Sequence, residues 1–354
     1  MDKKLVVFPT DYRTVTLVRH AHMAGYQPYA LVAPALSMFT GLDISKLDGG
    51  EKTEIFLHKD YEQKILESDL VYFDKSEDVP TKQIYYDLIS YAKKNEKRII
   101  ISSELSIQLG IEEAGTPSFD TEKTLLHKLL PIDVPIISIF AIGNDCGQIE
   151  IELSIRDYFL NQDYSILQIG TQSYTKLFGC LELPEFLFNS ELDVQNRIIL
   201  FNRFLYEHSK SEDPDLIILG VPSPIMKYND NILQDFGLLP FIIQSAVKSD
   251  IGLLNLHYNQ YTYEYFDEMM KFCRYRLDIA VKYFGIANTS VSKSIDDSSE
   301  LEHLRLTADF VKENLDESLG KEDYTVFPIY VEEKRKFAYQ KIEKELLENP
   351  DYLT

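Results

Sequence analysis

The sequence predicts an α/β protein of two Rossmann-like three-layer domains, the second a parallel sheet with a degenerate P-loop. Three observations predict it. At 354 residues the chain is long for one hydrophobic core, so two domains are expected. Short apolar runs alternate with longer helix-like stretches, the pattern of a parallel sheet faced by helices. And the alternation restarts at Ile136 with a buried-looking strand, a glycine-bounded turn and a helix, "VPIISIFAIGNDCGQIEIELSIRDYF".

In the first half, Leu5–Phe8 reads as a strand and the stretch from about Tyr12 to Gly25 as a helix stopped by glycine. Tyr29–Val32 is a second strand, ended by Pro34, and Gly41–Gly50 is loop-like. Tyr61–Glu67 reads as helix, Leu70–Phe73 as strand, Thr81–Asn95 as helix and Arg98–Ser102 as strand. From Ser103 to Pro135 the pattern is irregular, with Gly110, Gly115-Thr116-Pro117 and Pro131, and the domain boundary is expected there: residues 1–130 and 131–354.

In the second half, Ile136–Ile142 is continuously apolar, as a central strand buried on both faces should be. Gln148–Leu160 follows with mixed spacing, so its helical reading rests on length and on Glu150, Glu152 and Arg156. Ser165–Ile169, Asp215–Gly220 and Ile251–Leu256 read as strands, and "DIAVKYFGI" as a further strand region. Glu191–His208, Phe241–Lys248, Tyr263–Leu277 and Val331–Leu347 read as helices. Internal repeats are not evident.

Composition narrows the function classes. The chain is 45% hydrophobic and 12% aromatic, as a folded protein should be. It carries 36 basic against 57 acidic residues, a net charge of −21, which repels phosphate backbones and anionic lipid; a cationic peptide would be an easier partner, and solubility is the simpler reading of the charge. Nucleic acid is therefore not expected. Cys146, Cys180 and Cys273 are far apart and form no zinc spacing or disulfide framework, which fits a reduced cytoplasm. The opening MDKKLVVFPTDY has too short an apolar run for a signal peptide, and no window reaches the ~18 apolar residues of a membrane span.

In a parallel sheet, ligands bind where the loops leave the carboxyl ends of the strands. Three such loops are chemically unusual: Gly143-Asn144-Asp145-Cys146-Gly147-Gln148, Gly170-Thr171-Gln172-Ser173-Tyr174 and Val221-Pro222-Ser223-Pro224. Together they are expected to line one polar cleft. A true P-loop needs a lysine for the β- and γ-phosphates and a Ser or Thr hydroxyl for magnesium. Here Gln148-Ile149 stands in their place, Asp145 would repel an anion, and "DLIILGVP" lacks an acid at the strand end. Ordinary nucleotide hydrolysis is thus not expected, although a helix start still favours a weak anion. The simpler alternative is that Gly143 and Gly147 only let a strand turn tightly into a helix.

Cys146 at a helix start is a candidate nucleophile with a lowered pKa, activated if His208 or His257 approaches in space; an inert buried thiol is the commoner case. His20 and His22 diverge on a helix and make a poor metal pair, and no metal site is expected. "HYNQYTYEYF" offers an aromatic surface to a peptide or base, or seals a helix on a sheet. "KFCRYR" places Lys271, Arg274 and Arg276 on a helix, to read a carboxylate or to face solvent.

Several runs resemble the clostridial peptide maturation system proteins, which are encoded beside radical SAM peptide maturases and small Cys-rich precursor peptides. They are "FPTDYRTVTLVRHAHMAGYQPYALVAP", the stretch from "DVPIISIFAIGNDCGQ" to "LELPEFLF", and "LFNRFLYEHSKSEDPDLIILGVPSPIMKYNDNILQDFGLLPFIIQSAV". The likeness runs from residue 8 to about 290. It is carried most by Gly143, Glu150, Leu153, Arg156, Gly170, Tyr174, Gly179, Pro184, Phe201-Asn202, Pro214-Asp215, Gly220, Pro222 and Gly237. The chain departs from the family pattern at Gln148, Lys176 and Ser223-Pro224. The resemblance implies an accessory role in maturing a ribosomally synthesised, post-translationally modified peptide, with the precursor peptide or the radical SAM maturase as partner. It implies no particular reaction or cofactor. The alternatives are a transferase or ligase acting in the loop cleft, with Asp145 or Cys146 chemically active and Gly143, Asn144, Gly147, Gln148, Thr171, Ser173, Tyr174, Pro222 and Ser223 holding the ligand, or a nucleotide sensor that does not hydrolyse.

Overall fold

The apolar runs become strands of two parallel sheets. The structure, a computed structural model, describes residues 3–111, 128–293, 301–316, 319–320 and 323–348. By contact the chain divides into a unit of Met1–Ser118 with Ser173–Phe178 and a unit of Phe119–Gln172 with Gly179–Thr354. The expected Gly115-Thr116-Pro117 connection lies outside the described residues.

The first unit contains β1 (Lys3–Thr10), α1 (Val15–His20), β2 (Tyr26–Val32), α2 (Ser45–Asp48), β3 (Leu57–His58) and α3 (Tyr61–Glu67). It continues with β4 (Leu70–Phe73), α4 (Lys82–Lys94), β5 (Arg98–Ile101) and α5 (Ser103–Leu109). The strand order is β3-β2-β1-β4-β5, all parallel. Val6 and Phe8 of β1, Val71 and Phe73 of β4, and Tyr85 and Ile89 of α4 share one core. The helix expected from Tyr12 to Gly25 is α1 continued by a 3-10 turn, and Gly25 ends it at φ 74°. The stretch read as loop, Gly41–Gly50, contains α2, held by polar contacts that carry no periodic signal. Asp43 accepts from the amides of Ser45, Thr53 and Glu54. Asp48 takes the Arg19 fork at 2.5 and 2.8 Å.

The second unit contains β6 (Ile136–Ala141), α6 (Gln148–Leu160), β7 (Ile166–Gly170), β8 (Leu181–Glu182), α7 (Val194–Glu212), β9 (Leu216–Pro224), α8 (Leu238–Ala246) and β10 (Ile251–Leu256). It continues with α9 (Tyr263–Leu277), β11 (Val281–Ile286), β12 (Thr289–Lys293), β13 (Leu301–Arg305), α10 (Ala308–Asn314), β14 (Thr325–Pro328) and α11 (Glu332–Glu348). Seven strands run parallel in the order β14-β11-β10-β6-β9-β7-β8, and β12 and β13 form a separate antiparallel pair. β6 lies inside the sheet between β10 and β9, and every residue of it is buried.

The faces of this sheet have different partners. Ile137 and Ile139 of β6 pack with Ile151 and Ile155 of α6 and Ala338 and Ile342 of α11. Ile136 and Phe140 pack on the other side with residues of α7, α8 and α9. The helix after β6 therefore lies on one face and those after β8, β9 and β10 on the other. That makes the carboxyl end of β6 a topological switch point, the place where open α/β sheets as a class bind ligands.

α6 is buried nearly all round, which explains why its spacing looked mixed. The charged residues that supported the helical reading lie inside and find partners there for part of their polar atoms. Glu150 accepts from Arg335 of α11 at 2.7 Å, Glu152 from Thr171, and Arg156 lies 3.5 Å from the Ile166 carbonyl. Among the described residues no helix is long and apolar enough to cross a membrane.

Candidate functional site

The turn after β6 has the layout expected of it. Asp145 and Gly147 adopt positive φ, 57° and 65°, and Gly147 is the residue before the first turn of α6. A Cβ on Gly147 would press on Ile329 at 3.2 Å, and one on Gly143 would lie 2.8 Å from Nε2 of His257. Gly143 is thus favoured by close approach and Gly147 by its backbone.

Gln148 turns inward. Its amide donates to the carbonyl of Ile139 at 3.0 Å and to that of Val221 at 2.8 Å, so the first residue of α6 is tied to β6 and β9. β9 bulges there: Ile139 pairs with Gly220 but Ala141 with Pro224, and Ser223 has φ 67°. Pro222 is half-buried and Ser223 exposed on this bulge, while Asn144 is exposed on the turn.

Cys146 is 1% exposed, and burial pushes its thiol up, although the amides of Gly143 and Ile142 lean toward the sulfur. The helix start therefore does not supply the lowered pKa that an activated nucleophile needs. Asp145 is exposed on the turn, with its carboxylate 3.8 Å from Nδ1 of His303 and 3.7 Å from the Arg305 guanidinium. Its charge, expected to repel an anion, is faced by the Arg305 guanidinium of β13.

His257, of which the sequence offered only a chance approach, stands beside the turn. It is 5% exposed and lies just past β10. The Thr289 hydroxyl donates its one proton to the Asp145 carbonyl at 2.7 Å. At 3.0 Å from Nδ1 it must then accept from the imidazole, which fixes the Nδ1–H tautomer. Burial and the neighbouring His303 lower the His257 pKa to about 4, so the ring is neutral near pH 7. Its Nε2 lone pair has no hydrogen-bond partner among the described residues. Two residues back, on β10, Asn255 is 0% exposed, and both its amide atoms lack a partner among the described residues too. Gly285 leaves room for it, since a Cβ there would come within 2.8 Å of Oδ1. Alternation along β10 is the signal that could have found this pair, because residues two apart share a face.

On the other side of Gln148, Glu152 is 0% exposed. Its carboxylate accepts from the Thr171 amide at 3.0 Å and hydroxyl at 2.7 Å. Burial outweighs these bonds and the Gln148 contact, and raises its pKa to about 7. Gly220 is glycine because a Cβ would meet this carboxylate at 2.6 Å.

The structure thus gathers Gly143, Asn144, Asp145, Cys146, Gly147, Gln148, Thr171, Pro222 and Ser223 in the second unit, around the end of β6. Ser173 and Tyr174 belong to the first unit. There the Tyr72 hydroxyl lies 3.4 Å from Ser173 Oγ, and the Tyr174 hydroxyl donates to the Arg13 carbonyl at 3.3 Å. "HYNQYTYEYF" seals α9 on the sheet: Tyr261 donates to the His257 carbonyl at 2.7 Å, and Phe266 is in the core. His20 and His22 have ring centres 6.2 Å apart, and no group of three His, Cys, Asp or Glu among the described residues could hold a metal ion.

The corresponding edge of the first unit is self-capped. After β1, Asp11 Oδ1 accepts from the Arg13 amide at 2.8 Å and the Thr14 amide at 3.2 Å. A side-chain carboxylate thereby occupies the amides that a phosphate would use.

No family model and no curated protein matches the chain. Among solved structures it is similar to a DUF1611 family protein from Anabaena variabilis, at 9% identity over 80% of this chain and 87% of that one, with a TM-score of 0.48. It is also similar to a pseudomurein peptide ligase type C from Methanothermus fervidus, at 10% identity over 82% of this chain and 50% of that one, with a TM-score of 0.27. A third similar structure is a GTPase in apo form from Pyrococcus abyssi, at 9% identity over 62% of this chain and 100% of that one, with a TM-score of 0.33. Likeness this distant says nothing of activity or ligand; the α/β fold rests on the strand order and register described above.

Proposed function

We propose that this chain is an accessory binding protein in the maturation of a ribosomally synthesised, post-translationally modified peptide. It acts in the cytoplasm and holds the precursor peptide or the radical SAM maturase, with the second unit, a degenerate P-loop domain, as scaffold. The observation that carries the reading is Gln148. Its amide is consumed by the Ile139 and Val221 carbonyls, so the position of a phosphate-binding lysine holds a neutral group turned into the fold. Ile149 beside it offers no metal ligand. Beside the turn lies the uncharged acceptor Nε2 of His257, buried and without a hydrogen-bond partner among the described residues. Calorimetry with the precursor peptide and with the maturase encoded nearby tests the proposal. Binding to either is expected, weakened by His257→Phe; binding to neither removes the proposal.

A second reading, a transferase or ligase acting on a peptide or small molecule, is favoured by the same unprotonated Nε2, which has the lone pair a general base needs. Cys146, buried with a raised pKa, is then a packing residue, and Asp145 a partner of Arg305. On this reading His257→Phe abolishes product formation while Cys146→Ser retains it. Loss of product in Cys146→Ser with the fold intact would return the nucleophile to the thiol.

A further inference from the structure

A second site lies at the opposite, amino-terminal edge of the same sheet. A cleft of about 580 Å³ opens between the end of α9, the starts of β11 and β14, and α11. Its walls carry Lys271, Arg274, Lys282 and Lys341 against two carboxylates, Asp323 and Glu345. This concave surface is therefore net positive in a chain whose net charge is −21. With 57 acidic residues to 36 basic ones, most cations have acids within reach.

The charges of this cleft are not all neutralised by each other. Glu345 is engaged by Lys282 and by the Tyr283 hydroxyl at 2.9 Å. Lys341 donates to Thr325 at 3.2 Å. Lys271 and Arg274 stand three apart on α9, hence on one helix face, and neither has a hydrogen bond or ion pair among the described residues. Arg276 points elsewhere, stacked 4.9 Å from the Phe241 ring centre. Tyr275, 88% exposed, stands on the same wall. Two solvated surface cations would need no explanation. Their convergence with two more on a cavity of small-molecule size does.

We propose that this cleft binds a small anion carrying two negative charges, a dicarboxylate or a phosphate ester, recognised by Arg274 and Lys271. The guanidinium fork matches the paired oxygens of carboxylate and phosphate alike. Lys271 supplies a second point charge, and the excess of two cations over carboxylates in the walls balances a dianion. Both recognising side chains are exposed, so binding is screened by salt.

Calorimetry on the full chain at low ionic strength tests this with succinate, inorganic phosphate and glucose 6-phosphate, and glucose as the uncharged control. Saturable binding of at least one anion is expected, with none of glucose, and the arm that binds identifies the chemistry. Lys271→Glu with Arg274→Glu should weaken it by about tenfold or more, and Arg274→Gln alone should weaken it less. The urea midpoint should not move, because both positions are exposed. Equal binding by the double variant would place the anion elsewhere and overturn the assignment. So would the absence of binding by all three anions at millimolar concentration. His257 and Gln148 variants should leave this binding unchanged, which separates it from the site at the turn.

Discussion

Glu152→Gln should remove a pH dependence that the wild type carries. The carboxyl lies against Gly220 and Thr171 with no exposure, and its pKa rises from 4.5 to about 7. A raised folded-state pKa means that the folded protein holds the proton more tightly than the unfolded chain does. The associated stability is therefore fully present below about pH 4.5 and is lost as pH rises through about 7. At 1.36 kcal/mol per unit, the shift corresponds to at most about 3 kcal/mol. Glutamine keeps the shape and one acceptor but does not ionise. Urea unfolding of both proteins, at intervals from about pH 4 to pH 8, measures the difference. The groups common to the two, His257 and Asp74 among them, cancel. The variant should gain on the wild type by up to about 3 kcal/mol across this range. Parallel curves would refute the reasoning: the Thr171 bonds would then compensate burial fully, and the carboxylate would be ionised at no cost.

Other outcomes are expected from the same geometry. Gly220→Ala puts a Cβ 2.6 Å from Oε1 of Glu152, whose position Thr171 fixes, and should cost about 1–3 kcal/mol by urea unfolding; a neutral result would mean that the carboxylate moves freely. His257, its pKa lowered to about 4 by burial, contributes stability that is present above pH 6.5 and lost as pH falls toward 4, so His257→Phe should flatten the acid limb; an unchanged limb would show the ring protonated in the fold. The buried cysteines should resist a thiol reagent in the native protein and react together on unfolding; fast native labelling of Cys146 would contradict the burial of its sulfur. Gln148→Lys should lose the bonds to Ile139 and Val221, at about 1 kcal/mol each, and still gain no magnesium-dependent nucleotide binding, because Ile149 brings no hydroxyl; thermal shift with Mg·ATP reads both effects.

The fold was legible wherever burial on both faces writes a continuous apolar run, as in Ile136–Ala141 and "DLIILG". It was illegible where structure rests on specific polar contacts or on very short pairings. Leu57–His58 is two residues long and carries no pattern. α2 exists because Asp43 and Asp48 collect amides and an arginine. The antiparallel pair β12–β13 is polar and was missed, and with it the residues that face Asp145, His303 and Arg305. In α6 the charged residues that favoured a helix turned out to be inside it. Gly220 matters because it borders one of those charges, Glu152, whereas Gly179 matters for its backbone, at φ 76°. For the site, the turn and its missing lysine could be read directly. The inward direction of Gln148 and the lone pair of His257 could not, since both depend on where other strands end.

The central claim is that the turn at Gly143–Gly147, with Gln148 turned inward and Ile149 beside it, carries no lysine and no hydroxyl to hold a magnesium-bound triphosphate. Thermal unfolding with ATP and GTP, each with and without magnesium, together with γ-phosphate release by the same sample, tests it most directly. No magnesium-dependent rise in midpoint and no phosphate release are predicted. A magnesium-dependent stabilisation near the ~2.7 kcal/mol expected at a hundredfold excess over Kd, or phosphate release that a Gln148 variant abolishes, would contradict it.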